Sequence, residues 1–333
     1  MQLWSRPAAT LPIMLNEQAI INNLIDDNVT RMWPNRRARE NERLYLVHDQ
    51  DTSGIINTPY PLVVKKFQNE SPTLQVDGNV RYSYKWEMIL LARNSHGNII
   101  NIVDLIQRED AVMLVYEYPV NGSLQSRLQQ LSWPERKTIA IGVAQGLCHL
   151  HHGCKKPIVH HNISSENILL DPNFKAVIAS FGDAQMNMAG LGQPLPITDL
   201  PPGNFGYTVP EYGVAATELT KKVDTYSFGV LMLELVTGRM ANEAGADGHL
   251  ATWAQNNFTK LMVNQQEMFQ SAVDRDIPAQ AWYMEEMATV FRLGVDCTVM
   301  DPQQRPSMRM ALKRLRRGRG RGPFRGLLAC YLM

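Results

Sequence analysis

The chain has 333 residues, 44% of them hydrophobic and 20% charged, an ordinary globular composition long enough for one large domain or two lobes with separate cores. Its four cysteines (148, 154, 297 and 330) exclude a disulfide framework and suit a reducing compartment, and no window reaches the roughly eighteen apolar residues of a membrane span. The net charge of +1 hides an asymmetry: Arg309, Lys313, Arg314, Arg316, Arg317, Arg319, Arg321 and Arg325 follow residue 308 without one acid, so these eight leave the first 308 residues at −7.

Residues 1–14 form an N-terminal extension with one Arg, two prolines and a short apolar patch. The continuous apolar region of a secretory signal is missing, so a soluble, cytoplasmic chain is expected. Apolar positions at mixed three- and four-residue spacing predict a short helix within 15–27. Residues 43–48 (RLYLVH) and 61–67 (PLVVKKF) read as strands. The segment 80–93 reads as a helix with Trp86, Ile89 and Leu90 on one side, and strands follow at 99–106 and 111–118. After the turn pair Asn121-Gly122 the period becomes helical. Residues 133–152 place Ile139, Val143, Gly146, Leu147 and Leu150 on one stripe, and helices return at 226–238 and 281–298. Strands first and helices second predict an α+β chain of two lobes with a hinge near 117–122.

Seven segments carry a pattern of their own: LVVKKF (62–67), LVYEYPVNGSL (114–124), IVHHNISSENILLD (158–171), AVIASFGDAQ (176–185), GYTVPEY (206–212), KVDTYSFGVLMLELVTG (222–238) and DPQQRPSM (301–308). In this order and at these intervals they resemble the kinase domain of plant leucine-rich-repeat receptor-like kinases over residues 15–315. The resemblance implies a two-lobed protein kinase fold, with an N-lobe over about 15–118, a C-lobe over about 119–315 and a basic Arg/Gly tail at 316–333.

The same resemblance assigns roles. Lys65 stands where the family's ATP lysine pairs with a glutamate, here Glu87. Taken alone, a lysine beside Lys66 on a strand reads as a solvated charge. Val63 occupies the position of a small alanine facing adenine, Glu117 lies in the hinge, and Leu169 belongs to the nucleotide pocket. Asn167 matches a metal-side ligand. Leu91, Ile102, His160 and Phe181 match a spine connecting the lobes, Glu211 and Arg305 a buried ion pair, and Asp224 the residue that caps the catalytic-loop backbone.

The chemistry-bearing positions depart from the family. Asn162 replaces the aspartate that takes the substrate's proton, and an amide has no basic oxygen near neutral pH. Ser164 replaces a lysine that offsets phosphoryl charge, and Ser180 replaces the aspartate that holds Mg²⁺, a hard ion that wants anionic oxygen. Asp183 is a substitute carboxylate only if it swings round from a normally apolar position. The phosphate loop aligns with 29–38 (VTRMWPNRRA), which has no glycine, while Pro34 has no N–H to offer.

Cys148, His149, His151, His152 and Cys154 lack the paired spacing of zinc ligands and read as structural packing. The expectation is a pseudokinase that binds or scaffolds receptor-like kinases or other signalling proteins at the inner face of the plasma membrane, with weak or absent ATP binding and no bound magnesium. The alternatives are an active ATP-dependent Ser/Thr protein kinase, and an RNA or anionic-lipid binder acting through residues 309–326, for which a solvated tail is the bland reading.

Overall fold

The computed structural model describes residues 17–22, 24, 42–47, 61–68, 78–186, 195–196, 205–212, 218–243, 248–263 and 266–317. The expected phosphate loop at 29–38, the extension at 1–14 and residues 318–333 lie outside these. Two compact units divide the chain, one of residues 1–92 and 101–120, the other of 93–100 and 121–333.

The first unit contains α1 (Glu17–Asn22), β1 (Glu42–Val47), β2 (Leu62–Gln68), α2 (Gly78–Arg93), β3 (Ile102–Gln107) and β4 (Ala111–Glu117). The strands form an antiparallel sheet in the order β1-β2-β4-β3, with Val63 opposite Tyr116 and Lys65 opposite Leu114. The two-residue period of a strand sorts its side chains. Leu62 and Val64 join Tyr45, Val47, Met113, Val115, Ile106 and the α1 residue Ile20 in one buried cluster. Phe67, of the opposite parity, meets Tyr84 of α2 with ring centroids 6.1 Å apart. Both faces of β2 are thus covered, which explains its near-continuous apolar run.

The strand expected to begin at 99 begins at Ile102 instead. Ile100 N–H donates to Ile178 O at 2.9 Å, and Ile178 N–H donates to Asn98 O at 2.9 Å. These bonds commit residues 98–100 to the second unit.

That unit is mainly helical: α3 (Leu124–Arg127), α4 (Trp133–His152), α5 (Lys222–Thr237), α6 (Leu250–Val263), α7 (Gln266–Ala272), α8 (Met284–Cys297) and α9 (Met308–Arg317). The short strands β5 (Ile158–Val159), β6 (Ile168–Leu170), β7 (Ala176–Ile178) and β8 (Gln185–Met186) pair as β5 with β8 and β6 with β7. At the start of α4 the Glu135 carboxylate accepts from Ser132 N–H at 2.8 Å, and Pro134 sits where a missing N–H costs nothing. Gly146 lets α4 approach the strand beside it: a Cβ there would lie 2.7 Å from Ile178 Cδ1. Almost every residue of α5 is buried, and Gly229 brings α8 so close that a Cβ would stand 2.6 Å from Cys297 Cβ. Among the described residues no helix is long and apolar enough to cross a membrane.

Candidate active site

In the first unit, β2 and α2 fix the lysine. Lys65 is 6% exposed, and its Nζ lies 2.8 Å from Glu87 Oε2. The other Glu87 oxygen accepts from the Tyr116 hydroxyl at 3.0 Å. The surface reading of Lys65 is thereby replaced by a buried ion pair whose carboxylate is hydrogen-bonded through both oxygens. Val63 is fully buried, and Glu117 is half-buried at the end of β4, where burial raises its pKa. Leu91 is 5% exposed on α2, and Ile102 opens β3, half-buried.

In the second unit, Asp224, in the first turn of α5, organises the segment after β5. Its Oδ2 accepts from His160 N–H and its Oδ1 from His161 N–H, both at 2.8 Å. His151 Nε2 lies 2.8 Å from the same Oδ2. The carboxylate is completely buried, and its pKa is nevertheless lowered, because the bond from His151 and the neighbouring histidines favour the anion over the opposing effect of burial. This fixes the turn in which His161 adopts φ 63°.

His160 is fully buried with a single consistent tautomer: Nδ1 accepts from Asn162 N–H at 3.2 Å, so Nε2–H donates to Ala179 O at 3.0 Å. Burial lowers its pKa and keeps it neutral. Its ring meets Phe181 edge-on, centroids 4.6 Å apart. His160 and Phe181 of the expected spine are thus together in this unit, while Leu91 and Ile102 belong to the other.

The amide positions interlock. Asn167 Nδ2 donates to both Asn162 O and Asn162 Oδ1 at 2.8 Å. Asn162 Nδ2 in turn donates to Ser180 Oγ at 3.3 Å and to Asp183 Oδ2 at 3.2 Å. The expectation that Asp183 would have to swing round is corrected. A 3₁₀ turn over Phe181–Asp183, entered through Ser180 at φ 67°, already points the carboxylate at Asn162. Ser164 is 1% exposed, and among the described residues its Oγ has no hydrogen-bond partner, so this position is enclosed rather than solvated. Leu169, in β6, is buried and pairs with Val177.

The Glu211–Arg305 pair is bidentate, Nη1 to Oε1 at 2.6 Å and Nη2 to Oε2 at 2.7 Å. Three features escaped the sequence reading. Tyr207 O–H donates to the buried Glu234 carboxylate, whose other oxygen accepts from Ala241 N–H at 2.9 Å. Arg136, fully buried, reaches three carbonyls and, at 2.7 Å, Asp274. Asn98 Nδ2 donates to Ala176 O at 2.7 Å. Isolated polar residues in helices and turns give no periodic signal by which to find such partners. The His/Cys run at 148–154 has other occupations. His151 serves Asp224, the His149 ring stacks on His96 at 4.9 Å, and Cys154 Sγ donates to His149 O. Among the described residues no group of three His, Cys, Asp or Glu is arranged to hold a metal.

The protein kinase domain family model matches residues 52–315. Receptor-like protein kinase 7 of Arabidopsis thaliana is 36% identical over 257 residues, covering 75% of this chain and 25% of the relative. The receptor-like protein kinase HAIKU2 of the same plant is 30% identical over 311 residues, 90% of this chain and 30% of the relative. The leucine-rich repeat receptor protein kinase MSP1 of Oryza sativa subsp. japonica is 36% identical over 244 residues, 70% of this chain and 18% of the relative. The chain spans less than a third of the length of these relatives.

Proposed function

This chain belongs to the protein kinase family, and from that premise we propose that it is a pseudokinase, a kinase scaffold that signals by binding rather than by phosphoryl transfer. The observation that carries the reading is the closed amide relay Asn167–Asn162–Ser180/Asp183. A proton acceptor is required at position 162, where the amide nitrogen is spent on its neighbours and the amide oxygen has no useful basicity. No carboxylate stands at 162, 167 or 180 to hold Mg²⁺ against phosphate oxygens. The parts that serve architecture are intact: Lys65–Glu87, Glu211–Arg305 and the Asp224 cap. By likeness to receptor-like kinases, its partners are proposed to be such kinases or their signalling proteins.

The rival reading, an active ATP-dependent Ser/Thr kinase, draws on Asp183, the carboxylate that does reach Asn162. A radiolabel transfer assay on a generic substrate decides, with Lys65→Arg as the control that keeps the buried charge. No transfer is expected. Transfer by the wild type that the Lys65 variant loses would make the chain an enzyme.

A further inference from the structure

Helix α9 (Met308–Arg317) contains no acidic residue, and packing sorts its cations to one side. Met308, Ala311 and Leu315 are buried, a spacing that makes one seam facing the body of the second unit. At about 100° per residue, Arg309, Lys313, Arg316 and Arg317 fall on one continuous arc of about 100° away from that seam, and all four are exposed. Met310, 50% exposed, borders the arc. Arg314 lies beyond Met310 and is neutralised, its Nη1 2.6 Å from Asp296 Oδ2. Among the described residues no carboxylate pairs with Lys313, Arg316 or Arg317.

The positive surface continues past the helix. Arg309 Nη2 reaches His152 O at 3.5 Å, and Lys221 Nζ reaches His151 O at 3.4 Å, both at the C-terminal end of α4. Those carbonyls account for the positions of Arg309 and Lys221, as caps of a helix end. They do not account for the three outward cations of α9. Burial first, then the charges of Lys221, His151 and Arg309, depress the His152 pKa to about 4, so neighbouring cations add to the effect of burial here.

We propose that this face of α9 docks on an anionic lipid bilayer, with Arg309, Lys313, Arg316 and Arg317 on the headgroups and Met310 at the acyl boundary. Charge complementarity favours a membrane surface, since clustered cations on an amphipathic helix are drawn to anionic leaflets. Residues 1–308 carry −7 by sequence, and such a body is repelled by the same surface, which orients α9 toward it. Single-stranded RNA is the poorer fit because its binders add aromatic stacking, and α9 offers an exposed thioether and no aromatic ring. The proposal is independent of whether the protein transfers phosphate.

The test is co-sedimentation of the full chain with phosphatidylcholine vesicles, with and without phosphatidylserine, at low and high salt. Binding is expected only with phosphatidylserine and is expected to weaken as salt rises. Replacing Arg309, Lys313, Arg316 and Arg317 together by Gln should lower affinity by about a hundredfold or more, from roughly fivefold per cation near the surface. Arg314→Gln should bind like wild type. Deleting residues 318–333, which removes Arg319, Arg321 and Arg325, should leave most of the binding. Because Arg309 also caps α4, the double variant Lys313→Glu/Arg317→Glu, altered only at exposed positions, repeats the test if the fourfold variant does not fold. The proposal fails if the wild type ignores phosphatidylserine at low salt, if the deletion abolishes binding while the helix variants keep it, or if an RNA oligonucleotide binds more tightly than the vesicles.

Discussion

Asn162 and Asp183 are joined side chain to side chain, the amide Nδ2 of one donating to the Oδ2 of the other at 3.2 Å. That bond directs Asp183 onto Asn162, and no carboxylate stands at 162, 167 or 180 to hold a cation beside it. ATP is therefore expected to raise the melting temperature little, and Mg²⁺ to add nothing. Asp183→Asn should leave both titrations unchanged. A large stabilisation seen only with Mg²⁺ and lost in Asp183→Asn would show that Asp183 has become a metal ligand.

The same contact predicts that introducing an aspartate at 162 carries a penalty. Asn162→Asp converts a hydrogen bond into two carboxylates about 3 Å apart, worth about 5 kcal/mol of repulsion at an effective dielectric of 20 and nearer 1–2 kcal/mol with solvent access. Urea unfolding should show Asn162→Asp less stable than wild type, and Asp183→Asn should restore most of the loss in the double variant. Additive effects of the two changes would mean that the side chains do not interact.

Breaking the Lys65–Glu87 pair should be costly. Both side chains are nearly inaccessible, and Lys65→Met leaves Glu87 with the Tyr116 hydroxyl and, among the described residues, no cation. A loss of about 3–5 kcal/mol is expected for a buried charge left uncompensated. The double change Lys65→Met/Glu87→Leu should recover much of it. A Lys65→Met protein as stable as wild type would remove the clamp role from this pair.

Glu234 supplies a pH signature. Burial raises its pKa from 4.5 to about 7, against the bonds from Tyr207 and Ala241 N–H. Between those values the native chain holds a proton that the unfolded chain has released, so this group's contribution falls as pH rises through the window, by about 3 kcal/mol at most. Buried His160 and His161, whose pKa values are lowered, act oppositely. The unfolded histidines take up protons first, and their contribution is lost as pH falls below 6.5. The difference in stability between wild type and Glu234→Gln isolates the carboxylate. It should slope downward from pH 4.5 to 7 and be level above; a level difference throughout would rule out the shift.

Much of this was legible from residues. Helix 133–152 was marked by its apolar stripe, while its Ser132/Glu135 cap came from the structure. Strand β2 and helix α2 were placed within a few residues, as was the start of the helical part near Asn121. Helix α6 was missed although Leu250, Ala254, Phe258 and Leu261 repeat at three and four residues, because Gln, Asn and Thr dilute the signal between them. No helix was expected at 308–317, and the basic tail was placed from 316, because the five cations of 309–317 mask the spacing of Met308, Ala311 and Leu315.

The sequence by itself determined the fold and the residue types at the candidate site. Hydrophobic periodicity and turn residues are local, and that an amide stands at 162 and a hydroxyl at 180 is read directly from the chain. Only the tertiary structure decided which polar groups satisfy one another. Asp183 facing Asn162 across 21 positions, His151 and the backbone of 160–161 converging on Asp224, and the enclosure of Ser164 all follow from packing of distant segments. A buried polar group must find a partner wherever the fold brings one, and sequence spacing carries no record of that distance.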